Sequence, residues 1–104
     1  MADEHTDLGG QDAGPAPYEL LLAALGACTS ITLKMYAEKK HWPLTAIDVS
    51  LIFTREGEDG RIERILTLEG DLDDAQRARL ADIAERTPVT LTLKSGVKID
   101  TRLK

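Results

Sequence analysis

Pro17-Tyr18-Glu19-Leu20-Leu21-Leu22-Ala23-Ala24-Leu25-Gly26-Ala27-Cys28, continuing without another proline to Lys40, decides how the rest of the chain is read. Pro17 suits a first helical turn, where its missing N–H loses no bond, and Glu19 complements the positive end of a helix dipole. Lys39, Lys40 and His41 suit the negative end, and Pro43 closes the segment. The spacing therefore predicts a helix over 17–40, with Gly26 as its one weak position. Its leucines and alanines, with Cys28, put apolar groups on all sides rather than in a stripe. A soluble helix of that kind is enclosed by protein on most sides. A chain of 104 residues has little else to enclose it, so a second copy is the natural cover.

Working outward, residues 1–16 read as a tether. Gly9-Gly10, Gly14-Pro15 and the polar residues between them are turn formers and helix avoiders. Past Pro43 the apolar period changes to two. Ile47, Val49, Leu51 and Phe53 alternate with Asp48, Ser50, Ile52 and Thr54, the mark of a half-buried strand. Glu56-Gly57-Glu58-Asp59-Gly60 is a hairpin turn, and a return strand follows with Ile62, Leu66 and Leu68 on one face and Ile65 on the other. The hairpin is placed at 45–71. A second helix, 73–86, carries the narrow stripe Leu80, Ala81, Ile83 and Ala84, and Pro88 stops it. Thr90 to Lys94 reads as either a helical turn or extended chain. Val97, Ile99 and Leu103 then alternate with Lys98, Asp100 and Arg102 and predict a last strand over 96–103. The sum is a single α+β domain, with helices on one face of an antiparallel sheet.

Composition narrows the function. With a net charge of -5 and a pI near 4.9, the chain lacks the clustered cations of a nucleic-acid binder. No unbroken apolar run reaches the roughly 18–20 residues of a bilayer span, and Met1-Ala2-Asp3-Glu4-His5 is no signal peptide. A cytoplasmic protein with no membrane partner is the expectation. A single cysteine excludes an intrachain disulfide. His5 and His41 form no ligand-spaced pair, and Asp71, Asp73 and Asp74 read as helix capping rather than a calcium loop. No metal or other cofactor is implied.

Cys28 is the one side chain with obvious nucleophilic chemistry. Its neighbours on a helix face are Ala24, Leu25, Ile31 and Thr32, an apolar surrounding that disfavours the thiolate and suits a small core hydrophobe better than a reactive thiol. A catalytic role requires a cation or donor brought in by another element. Glu19, nine positions earlier, falls on the opposite side of the helix and about 13 Å along its axis. Arginine is the candidate activator because it stays charged at any working pH. Arg64 lies on the inward line of its strand and Arg86 closes the second helix, and either also reads as a surface or helix-end charge.

The stretch Gly9 to Thr29, GGQDAGPAPYELLLAALGACT, closely resembles the OsmC/Ohr family, in which a glycine-rich approach leads into a Pro-x-Glu-Leu-Leu-x-Ala-x-x-x-x-Cys helix. Ala84-Glu85-Arg86-Thr87-Pro88-Val89 is similar to that family's second signature, Ala-x-x-Cys-Pro-Val. The resemblance implies an OsmC-like fold in a cytoplasmic, intertwined homodimer with the long helices packed centrally. It also implies reduction of organic hydroperoxides, with Cys28 at the peroxidatic position. Thr87 stands where such proteins carry the resolving cysteine, so turnover here would draw on an external thiol reductant. The sequence begins after the N-terminal strands, which in many peroxidases of the family supply the activating arginine, and reads either as a short member or as part of a longer chain. In several members the acid beside that arginine falls at the position of Tyr18, not Glu19. The other reading is a non-catalytic dimer that keeps the fold as a small-molecule binding or interaction module.

Overall fold

The computed structural model describes residues 16–104. The element order is α1 (Pro17–Lys40), β1 (Leu44–Glu56), β2 (Asp59–Gly70), α2 (Asp74–Ala84) and α3 (Pro88–Ser95). The tether at 1–16 lies outside the described residues, except that Ala16 is the N-cap of α1.

The hairpin forms because each strand alternates. β1 and β2 pair antiparallel, with Ile47 opposite Leu68, Val49 opposite Leu66 and Phe53 opposite Ile62, so one face is a double row of aliphatic and aromatic groups. Leu51 breaks that row by facing Arg64. Ile52 and Ile65 lie on the other face and are half exposed. Gly57 (φ 61°) starts the turn, the backbone region where a side chain would be strained. At the opposite end, a Cβ on Gly70 would come 2.0 Å from the Pro43 carbonyl oxygen, so only glycine lets the strands close there.

Among the described residues α1 lies along the inner face of the hairpin, and α2 and α3 pack against α1. α1 buries Leu25, Thr29, Leu33 and Ala37, an i, i+4 row along one side. It stops where His41 turns left-handed (φ 60°) and Trp42 N–H bonds back to Ala37 O at 2.9 Å. α2 starts with a capping box between Asp73 and Gln76, so of the three aspartates Asp73 caps this helix. Arg77 fixes the approach to α2 by donating to Leu68 O, Gly70 O and Leu72 O. The core gathers Leu33, Leu72, Leu80 and Ala84, flanked by Tyr36, Trp42, Ile47 and Leu66.

Two expectations need correction and one open alternative is resolved. The strand at 96–103 does not form. Val97, Ile99 and Leu103 are 68%, 87% and 98% exposed, because the two-stranded sheet of the described residues offers this segment no ladder. Of the two readings open for Thr90 to Lys94 the helical one holds, inside α3, which Pro88 opens at its first position. Finally, α1 is long and apolar enough to cross a membrane by length and composition, with an 18-residue window of mean hydropathy 1.5. Only 22% of that window is buried within one chain. Its inner row nonetheless packs on the hairpin as the central helix of an α+β domain, leaving Leu20, Ile31 and Met35 open on the far side.

Candidate functional site

The polar residue on the inner face organises the site. Alternation along β2 points Arg64 inward, and its side chain is 12% exposed. Its guanidinium donates from one terminal nitrogen to Thr29 Oγ1 at 3.0 Å and to Thr90 Oγ1 at 2.9 Å. The other terminal nitrogen donates to the Ala84 carbonyl oxygen at 2.9 Å. One cation thereby ties β2 to α1, to α3 and to the end of α2. Burying a charge is costly, and these charge-assisted bonds are what make it tolerable. Every one of the three acceptors is neutral. The nearest carboxylate, Glu85, stands 3.8 Å away and is 57% exposed.

The hydroxyls are held in turn. Thr29 donates to Leu25 O one helical turn back at 2.7 Å, which leaves a lone pair facing Arg64. Thr87 and Thr90 share a hydrogen bond of 2.6 Å, and both are buried. Glu85 accepts a 2.6 Å bond from Lys94, which with the nearby Arg64 holds its carboxyl below the usual carboxylate range.

This arrangement sorts the residues singled out from the sequence. Arg64 and Thr87 come together, linked through Thr90. Cys28 is half-buried and immediately precedes Thr29, about 100° around α1 from the buried row. Among the described residues its sulfur makes no hydrogen bond, and Arg64 reaches the hydroxyl next to it rather than the sulfur. Arg86 lies apart, about half exposed and paired with Asp82 at 2.8 Å. Glu19 is exposed in the first turn of α1. Thr29 and Thr90 were not anticipated. Thr29 was findable as the one hydroxyl in the row Leu25, Leu33 and Ala37, and Thr90 as the residue three beyond Thr87.

Beside Arg64 a groove of about 470 Å³ opens between α1, the hairpin and α3. Tyr18 stacks on Phe53 at 4.8 Å and accepts a 2.7 Å bond from Arg55, which clamps the start of α1 to the hairpin tip. Among the described residues no three His, Cys, Asp or Glu side chains gather as metal ligands do.

Residues 9–102 match the family model of the OsmC-like proteins. The chain belongs to that family. No curated protein matches it. Among solved structures, this OsmC-like chain is similar to a Psychrobacter arcticus protein ascribed to osmotic stress induction and detoxification response. That match has 18% identity and a TM-score of 0.76, covering 88% of this chain and 69% of the other. An OsmC-like protein of Mycoplasma pneumoniae is 20% identical with a TM-score of 0.70, covering 78% and 63%. An organic hydroperoxide resistance protein OsmC of Legionella pneumophila is 21% identical with a TM-score of 0.61, covering 88% and 71%. At these identities the likeness establishes the OsmC fold, and membership places the chain in a family with redox and hydroperoxide-resistance proteins.

Proposed function

We propose that this OsmC-like protein reduces organic hydroperoxides through Cys28, as a cytoplasmic homodimer regenerated by an external thiol. The observation that carries the reading is the bond from the Arg64 guanidinium to Thr29, which puts a nearly buried cation beside the helical turn that holds the only sulfur nucleophile in the chain. The thiolate sulfur attacks the O–O bond of R–OOH. A new S–O bond forms and the alkoxide leaves, taking a proton to become R–OH, while Cys28 becomes a sulfenic acid. Arg64 supplies positive charge near the place where negative charge passes from sulfur to alkoxide. Thr87 has no sulfur to offer. One external thiol therefore condenses with the sulfenic acid and releases water, and a second reduces the mixed disulfide, so two thiols are oxidised per hydroperoxide reduced. The open apolar side of α1, with Leu20, Ile31 and Met35, supports the homodimer.

The test is one equivalent of cumene hydroperoxide added to reduced protein at neutral pH. The free thiol is expected to disappear with formation of a trappable sulfenic acid, absent in Cys28→Ser. Arg64→Met is expected to slow that loss by on the order of tenfold to a hundredfold. A thiol that survives unmodified for hours would sink the proposal. It would leave the second reading, a non-catalytic binding module, which draws on a groove that Arg64 lines and Cys28 does not.

A further inference from the structure

We infer that the groove beside Arg64 is a binding site for an amphipathic aliphatic carboxylate, whose head group takes over the cations that Glu85 now holds. Leu21 and Leu25 from α1, Phe53 and Ile62 from the hairpin and Leu93 from α3 form its walls. Its polar end carries Arg64, Lys94 and Glu85. Two cations against one carboxylate leave that end with an excess positive charge. Arg64, one of these two cations, is almost buried, and its three hydrogen-bonded partners are all neutral. Hydrocarbon walls closing on a cation describe the chemistry of an alkyl chain ending in an anion. A cationic amphiphile meets like charge there, and a neutral alcohol gains the walls without the ion pair.

Glu85 is the element that makes the site exchangeable. It is 57% exposed, spans Lys94 at 2.6 Å and Arg64 at 3.8 Å, and can release both by rotating into water. An incoming carboxylate occupies the same two cations while its chain covers the apolar walls, a gain that Glu85 itself cannot make. Glu85 is thus a competitor of the ligand, and its removal should tighten binding rather than weaken it. A merely structural role for this ion pair would predict the opposite sign.

The experiment titrates the reduced, full chain with decanoate below its micelle concentration, followed by calorimetry, with decanol and decyltrimethylammonium as the other arms. No peroxide is present, so the result is independent of Cys28 oxidation, and the redox reading and this one can fail separately. Decanoate is expected to bind saturably and at least about fivefold more tightly than decanol, with the ammonium weakest. Lys94→Gln is expected to weaken decanoate roughly threefold, and Glu85→Gln to tighten it by roughly twofold to fivefold. Both positions are exposed, and unchanged circular dichroism confirms folded variants. Equal affinity for decanol and decanoate, absence of saturable binding, or a Glu85→Gln variant that binds decanoate no more tightly would overturn the proposal.

Discussion

The interior of this domain has two ends built on opposite principles. At one, Leu33, Leu72, Leu80 and Ala84 meet with no polar atom among their side chains. At the other, Thr29, Thr87 and Thr90 surround a guanidinium with comparable burial. The aliphatic end gains from area removed from water and tolerates any orientation that fills space. The polar end gains little net stability from each bond and requires every donor to meet an acceptor, so it fixes geometry more than it adds stability. Hydrocarbon packing and polar geometry are divided along one layer. The largest expected effect follows directly: Leu80→Ala, at a fully buried position, should cost about 3 kcal/mol by urea denaturation. A loss below about 1 kcal/mol would mean that the aliphatic end is not the main source of stability.

The same comparison sharpens at Thr87. Replacing its hydroxyl by a thiol in Thr87→Cys disturbs one hydrogen bond while Thr90 keeps its bond from Arg64, so the expected cost is about 1 kcal/mol, well below that of Leu80→Ala. The functional consequence is larger than the stability one. With Thr87 tied through Thr90 and Arg64 to Thr29, the new thiol sits in the network that borders Cys28. Peroxide treatment of Thr87→Cys is expected to consume both thiols and give a disulfide within one chain, resolved as a faster-migrating band under non-reducing conditions. If only the sulfenic acid of Cys28 forms, position 87 is not placed to resolve it.

The aliphatic end was legible in the sequence because periodicity reports burial. Ile47, Val49, Leu51 and Phe53, with Leu66 and Leu68, recur at every second position, and the structure puts them on one face, with Ile52 and Ile65 on the other. The second helix, expected over 73–86, runs from Asp74 to Ala84 and buries Leu80 and Ala84, while Ala81 of the expected stripe is exposed. The polar end was only half legible. Arg64 stood out as a charge on an apolar line, but its acceptors lie 35 residues earlier and 26 residues later in the chain. No local pattern encodes that convergence. The last strand failed for a related reason. Val97, Ile99 and Leu103 alternate as a strand does, yet alternation supplies no hydrogen-bonding neighbour, and the described residues provide none. The α1 helix mixes both cases: its apolar content was plain, while the restriction of burial to Leu25, Thr29, Leu33 and Ala37 depends on how little else the chain provides to cover it.

The smallest expected effect separates the two ends by pH. Glu85 borders the polar end, and the bond from Lys94, aided by Arg64, lowers its folded-state pKa below the ordinary carboxylate range. A depressed pKa contributes stability that is present above the unfolded-state value and is lost as pH falls through the folded-state one. Because Glu85 is more than half exposed, solvent screening limits that contribution to a few tenths of a kcal/mol. Glu85→Gln should therefore be slightly less stable than the parent at neutral pH, and the gap should close once acid has protonated Glu85. The deficit of Leu80→Ala involves no titrating group and should stay constant over the same range. Paired urea midpoints of the three proteins, taken from neutral pH down into the acid limb, resolve the contrast. A deficit of Leu80→Ala that shrinks in step with that of Glu85→Gln would show that the ends are energetically coupled and that the division drawn between them is wrong.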